Sequence, residues 1–396
     1  DQYTSQPEYW NETEAIVGDN KSTLNLILPE LYLEDEDVHK RISNIHNAME
    51  SYIKSDSFDV LKDSMIYIER VQSNGTVRAG LVGALDLEEY DYHKGSKSLV
   101  RATEATVVER IPPRMEVRRG AMLELPHIMI LIDDDEKTVV EPVAKLKDHE
   151  KLYDFMLMQN GGSIKGWKIS QAAINQVTLA LEKLGNLEAF NKKYNLEEKN
   201  PLVYAMGDGN HSLATAKEFY EELKRNNPDK DMSNHPARYA LVEIVNLHSP
   251  ALEFEAIHRI VTEINRADFI EKISQKLGLT EDISVGQQVF KIVCDGQAKK
   301  YAVTKPTSKL TVGSVQEFLD EYLEENGGKI DYIHGIEVID ELSRDENSIG
   351  FVLPDMSKDQ LFPTVICDGA LPRKTFSMGH AEDKRYYVEA RKISLD

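Results

Sequence analysis

Three pairs of short β-rich runs in this sequence are joined by residues that turn the chain back on itself. Met65–Glu69 and Val77–Leu85 flank Asn74-Gly75; Tyr153–Met158 and Ile164–Ile169 flank Asn160-Gly161-Gly162; Phe290–Cys294 and Lys300–Thr304 flank Asp295-Gly296. Asn-Gly and Asp-Gly accept the positive φ of tight hairpin turns, so each pair is expected as an antiparallel ladder. A chain with such hairpins in both halves cannot be a regular βαβ series. Helical periodicity appears between them, in Asp37–Ile53, Gln171–Leu184, Leu213–Arg225, Ala267–Leu277 and Val315–Glu325. The pattern predicts an α+β fold, a mixed sheet with inserted helices. The run His127–Ile132, closed by three aspartates, reads as a buried strand ending at an acidic edge.

The 396 residues exceed one typical core, so two domains, or one elaborated domain, are expected. The irregular stretch Asn226–Pro236 and a second break at Leu247–Glu253 place a boundary near residue 250. This gives an N-terminal α+β domain, 1–250, and a C-terminal α/β domain, 251–396. Asp1 is not an initiating Met, so the sequence is expected to continue upstream.

Against 47 Lys and Arg stand 68 Asp and Glu, a formal charge of −21. Such a surface repels nucleic-acid backbones and anionic membranes, so neither is expected as a partner. The densest basic stretch, Arg110–Arg119, is interrupted by Pro112, Pro113 and Glu116 and fits a small anion better than a duplex. No run approaches the ~20 apolar residues of a membrane span, and the first residues show no signal-peptide core. Cys294 and Cys367 stand far apart in β-like runs, where small buried hydrophobes are expected; with no disulfide framework the expected location is cytoplasmic. His258-Arg259 is expected in or at the start of a helix. His93, His127, His235 and His248 show no metal spacing, and no Walker, Rossmann, nucleophile-elbow or zincin motif occurs.

The chemistry concentrates in one loop. Leu202–Met206 reads as a short buried strand running into Gly207-Asp208-Gly209-Asn210-His211-Ser212, with a helix expected from about Leu213. A glycine-bearing turn between strand and helix points backbone N–H groups into open space, and the helix N-terminus favours phosphate or carboxylate. Asp208 suits a divalent metal beside phosphates, and His211 suits donation to a phosphate oxygen. Asn210 or Ser212 is placed to cap the helix. The turn reads equally as a capped strand-to-helix connection with an incidental His. Two further segments carry weaker signals. Arg101-Ala-Thr-Glu104-Ala-Thr106 sets an acid between cations and hydroxyls, where a carboxylate can take a proton from an alcohol. Leu371-Pro372-Arg373-Lys374-Thr375 sets two cations before hydroxyls, as a phosphate clamp would.

Together these segments resemble domain-of-unknown-function family 1015. The strand followed by Asp-Gly-x-His is similar to that family's D-G-H-H-R signature, Thr103-Glu104-Ala105-Thr106 to its H-E-x-T stretch, and Leu371–Thr375 to its M-P-R-K-S-T stretch. The segment Ala121–Asp133 also looks like the family's, and the order of landmarks agrees from about residue 100 to 380. That family resembles the ADP-dependent free serine kinases and, more remotely, the ParB/sulfiredoxin-like fold. The resemblance implies a nucleotide, ADP or ATP, with its phosphates on Asp208, Gly209, Asn210, His211 and Ser212. It adds Arg373, Lys374 and Thr375 as further phosphate contacts. Glu104 and His211 are the implied catalytic residues, Arg101 and Thr106 the substrate contacts, and Asp208 the Mg2+ ligand. The implied reaction is phosphoryl transfer to a small serine-like hydroxyl compound. Where the family carries His-His-Arg, this chain has Asn210-His211-Ser212; a guanidinium is missing, which Arg373 or Arg101 is the candidate to replace. The missing Arg favours a second reading, a nucleotide- or metabolite-binding protein without transfer. A third is a hydrolase with a metal at Asp208 and His211.

Overall fold

A computed structural model describes residues 3–4, 6–125, 128–146, 149–379, 381–384 and 388–395. The chain forms two compact units, Asp1–Leu252 with Gly379–Asp396, and Glu253–Met378. The chain thus leaves the first unit once and returns to it for its last residues, which a single cut near residue 250 does not anticipate.

The first unit contains, in order, α1 (Pro7–Val17), α2 (Val38–Lys54), β1 (Ile66–Val71), β2 (Val77–Asp86), β3 (Tyr90–Asp91), β4 (Val100–Arg101), α3 (Ile111–Arg118), β5 (Leu123–Glu124) and β6 (Met129–Ile132). It continues with β7 (Glu150–Met156), β8 (Ser163–Lys168), α4 (Gln171–Leu184), α5 (Leu187–Tyr194), β9 (Tyr204–Asp208), α6 (Asn210–Asn226) and β10 (Tyr239–Asn246). Nine strands make one mixed sheet in the order β3-β4-β9-β6-β10-β2-β1-β8-β7. The Asn74-Gly75 and Asn160-Gly161-Gly162 turns do close hairpins, with Val71 opposite Val77 and Met156 opposite Ser163. Parallel pairs lie at β3–β4, β4–β9 and β6–β10, so the sheet is mixed as its sequence implies.

Because successive strand side chains point to opposite faces, neighbouring residues serve different cores. Tyr67, Leu81 and Val242 face the large core that α3, α4 and α6 cover, while Ile68, Val82 and Leu241 face the other side. A third core gathers Leu26, Met49, Leu123, Leu125 and Ile393, bringing α2, β5 and the returning C-terminal segment together. That segment ends in a short strand, Arg391–Lys392, antiparallel to β5.

The second unit has an antiparallel sheet among its described residues, built from His258–Thr262, Leu279–Thr280, Gln288–Cys294, Gln297–Val303, Lys329–Ile333 and Ile349–Val352. The Asp295-Gly296 hairpin is there, with Cys294 opposite Gln297. Helices Arg266–Leu277 and Thr311–Asn326 pack through Phe269 against Phe318 and Tyr322. Two expectations fail here. His258-Arg259 lies in a strand, where the Arg259 guanidinium is buried and donates to Gln316 Oε1 at 3.1 Å and to the Arg373 carbonyl at 2.9 Å. Thr364–Cys367 lies in a helix, Leu361–Asp368, and Cys367 is exposed. The β-branched run misled because Gly369, at φ +81°, ends a short helix whose buried face takes Thr364, Val365 and Ile366.

Candidate functional site

Strand β9 runs between β4, to which it is parallel, and β6, to which it is antiparallel. Its pairing with β6 slips near its end: Ile130 faces Met206 but Met129 faces Asp208, leaving Gly207 as the extra residue of a bulge. A bulge re-aims the side chain that follows it, here Asp208. Gly209 then takes φ +90°, a left-handed conformation costly for any residue with a Cβ, and α6 starts at once with Asn210. The apolar positions Leu213, Ala214, Ala216 and Tyr220 bury the inner face of α6 against the sheet and fix its direction.

Neither Asn210 nor Ser212 caps the helix. Both lie inside its first turn, because α6 begins at Asn210 and not near Leu213; Gly209 is the cap residue, and no side chain accepts from the first turn. The first N–H with an intrahelical acceptor is that of Leu213, 3.0 Å from the Gly209 carbonyl. Helices α4 and α5 differ: Ser170 and Asn186 accept from the third N–H beyond them. At α6 no side chain takes that place, and the positive end of the helix lies at Gly209. The Oδ1 of Asn210 is buried and accepts no hydrogen bond among the described residues.

Asp208 Oδ1 accepts from the Gly209 N–H at 3.0 Å, and its Oδ2 lies 3.4 Å from Nζ of Lys384. Sequence reasoning missed Lys384, which sits in the C-terminal return. Two buried groups hold that return in place. Asp383 accepts from the N–H and the hydroxyl of Ser73, at 2.8 and 3.0 Å, and the Arg70 guanidinium donates to the Glu382 carbonyl at 2.9 Å. The charged run Glu382-Asp383-Lys384-Arg385 was the available signal, although nothing in it names its partner.

Parallel pairing of β4 and β9 carries the second segment to the same place. The Thr103 hydroxyl, buried, donates to the Met206 carbonyl at 2.8 Å. The two chain segments thus leave the sheet side by side, one into Glu104 and the other into Gly207-Asp208. Glu104 and Thr106 are both partly buried, and the Thr106 hydroxyl has no hydrogen-bond partner among the described residues. Arg101 is spent differently from its expected substrate role. Its guanidinium is buried and donates to the carbonyls of Ser98 at 2.8 Å and Asn200 at 3.1 Å, where it ties loops to the sheet edge.

Arg373, Lys374 and Thr375 belong to the second unit. Arg373 is exposed and paired with Asp320, Lys374 is exposed at φ +54°, and Thr375 is buried with its hydroxyl donating to the Pro372 carbonyl at 2.6 Å. Among the described residues no three His, Cys, Asp or Glu side chains gather as a metal cluster. None of their helices is long and apolar enough to cross a membrane.

Beside this turn the first unit holds a cavity of about 750 Å3, whose lining includes Ser212 and Thr215 of α6 as well as Lys384. Its other walls come from α1, the 21–33 segment, α2, α3 and the β7–β8 hairpin. The proline-interrupted basic stretch forms α3, with Pro112 and Pro113 in the first turn, where a missing N–H costs nothing. From α3, Arg114 and Arg118 face the cavity, but each is matched at 2.5 Å by an acid, Glu30 and Glu124 respectively.

No curated protein matches the chain. Among solved structures it is similar to SbnI with a C-terminal truncation from Staphylococcus aureus, at 9% identity over 75% of this chain and 82% of that one, with a TM-score of 0.39. A conserved hypothetical protein from Pyrococcus furiosus matches at 11% identity over 75% and 90%, with a TM-score of 0.36. A free serine kinase in complex with AMP matches at 11% identity over 79% and 92%, with a TM-score of 0.39. The model of the family described as "Protein of unknown function (DUF1015)" matches residues 1–322, and the chain belongs to that family.

Proposed function

We propose that the first unit binds a nucleotide with its phosphates on the Gly207–Ser212 turn and transfers a phosphoryl group to a small hydroxyl compound. The observation that carries this reading is the uncapped first turn of α6 beside the Asp208–Lys384 pair. Phosphoryl transfer asks a protein mainly for position and charge stabilisation, which backbone N–H groups, a helix N-terminus and an ammonium supply. Lys384 stands in for the guanidinium absent at Ser212. Glu104, where the neighbouring strand leaves the sheet, takes the proton from the acceptor hydroxyl as its oxygen bonds to phosphorus and the shortened nucleotide departs. His211, in the first turn, donates to a phosphate oxygen. Asp208 would hold Mg2+, which neutralises phosphate charge. A single carboxylate suits an ion that takes most of its ligands from phosphate and water.

The test has two stages. ADP and ATP, each with and without Mg2+, are expected to raise the melting temperature. Glu104→Gln is then expected to abolish turnover of a hydroxyl acceptor while the nucleotide-induced rise persists. Unchanged turnover in that variant removes Glu104 from the mechanism. The Ser212 departure from the family pattern favours a second reading, binding without transfer. A nucleotide-induced rise with no phosphorylated product from any amino acid, sugar or aliphatic alcohol offered would establish it.

A further inference from the structure

The cavity beside the turn is far larger and more apolar than a serine-sized acceptor needs. A serine side chain ends one carbon from its backbone, whereas drug-sized ligands occupy pockets of about 300–1,000 Å3, and this chamber measures about 750 Å3. Its aliphatic and aromatic lining comes from elements that share no strand with the turn. Leu28 precedes the first long helix, Met49 lies on α2, Val117 on α3 and Phe155 on β7. Leu26, Met49, Leu123, Leu125 and Ile393 both line it and form the third core, so its apolar wall is a built part of the fold. Of the cations in its lining, Arg114 is answered by Glu30 and Arg118 by Glu124, while Lys21, on the wall formed by the 21–33 segment, donates to the hydroxyls of Ser55 and Ser57 at 2.7 and 2.6 Å. What remains polar and close to the turn is Ser212, Thr215 and Lys384.

We propose that the ligand of this site is amphipathic: an anionic phosphate end on the first turn of α6 beside Lys384, and an apolar body of several carbons in the chamber. In the phosphoryl-transfer reading, on which this rests, the acceptor is an aliphatic alcohol and its product an alkyl phosphate. The alcohol oxygen bonds to phosphorus, its proton passes to Glu104, and the nucleotide leaves with the electrons of the broken P–O bond.

Binding of inorganic phosphate and of ethyl, butyl, hexyl and octyl phosphate, measured by calorimetry on the full chain alongside ADP, tests this. Dissociation constants are expected to fall by about three- to fourfold for each added methylene. Val117→Trp and Leu28→Trp, which fill the chamber from two different elements, are each expected to flatten that dependence; two variants guard against misfolding of either. If ADP binds but ethyl and octyl phosphate bind equally, the chamber proposal is overturned and the phosphate cradle stands. If octanol binds as tightly as octyl phosphate, the chamber is an apolar site unconnected to the turn, which also overturns the proposal. If neither phosphate, ADP nor any alkyl phosphate binds, the cradle itself is wrong and the proposal falls with it.

Discussion

Lys384 is the residue on which the site's charge balance turns. It lies 3.4 Å from Asp208, and both side chains are mostly but not fully covered. A partly exposed pair of this kind contributes less than about 1 kcal/mol to folding. A charge-assisted bond to a phosphate contributes more, about 1.5–3 kcal/mol. Lys384→Met is therefore expected to leave the melting temperature of the free protein nearly unchanged and to weaken nucleotide binding by about tenfold or more, read by calorimetry. A second residue of the same C-terminal return, Glu389, sets a pH dependence. Its carboxyl is buried, which pushes its pKa above the ordinary 4.5; the nearby Glu243 charge adds to the rise, and the Tyr153 hydroxyl that donates to it opposes it. The folded protein thus holds this proton more tightly than the unfolded chain. The associated stability is complete below about pH 4.5 and is lost as pH rises through the raised value. Glu389→Gln is expected to remove that loss, so urea midpoints of the variant should fall less than those of the parent between pH 4.5 and 7.

At the scale of elements, the sheet's centre is tied by a buried ion pair. Arg78 on β2 reaches Glu243 on β10 at 3.3 Å, and both side chains are almost wholly inaccessible. Gly80 stands against the same carboxylate: a Cβ there would lie 2.4 Å from Glu243 Oε1. Removing one partner of such a pair strands a charge, which costs about 3–5 kcal/mol. Arg78→Met is expected to lose that much in urea denaturation, whereas replacing a surface cation such as Lys299, paired with Glu281, should leave the urea midpoint nearly unchanged. Elements with local signals were also the ones legible in the sequence. Ser170 and a clean apolar stripe mark α4 from Gln171 to Leu184, and Asn-Gly or Asp-Gly marks the hairpins. The start of α6 was not legible, since Gly209 caps it by backbone conformation and leaves no capping side chain to read. Nor was α3, because two adjacent prolines signal a break everywhere except in a helix's first turn. The site was half legible: the 207–212 turn and Glu104 declare themselves by residue type and are joined by strand pairing. Lys384 is joined to them only by tertiary contacts of Asp383 and Arg70.

For the whole molecule, the order of the chain matters more than its boundary. The first unit comprises Asp1–Leu252 and Gly379–Asp396, so the second unit, Glu253–Met378, is inserted into it. The returning segment supplies Lys384, the Asp383 anchor and the strand Arg391–Lys392, whose Arg391 donates to the carbonyls of Pro236 and Tyr239 at 2.6 and 2.9 Å. A chain ending at Met378 is expected to give a destabilised first unit and no nucleotide-induced rise in melting temperature, while the circular dichroism of the inserted unit persists. Recovery of the rise when a peptide of residues 379–396 is added would show that the return acts by contact alone.

That return also sets a timetable. A ribosome delivers Asp208 long before it delivers Lys384, and the whole inserted unit is made in between. Through that interval the nascent first unit lacks both the Asp383 clasp on Ser73 and the Lys384 partner of Asp208. Under the proposed function, binding competence becomes a certificate of full-length synthesis: a product of premature termination is expected to carry the motif residues and still bind no nucleotide.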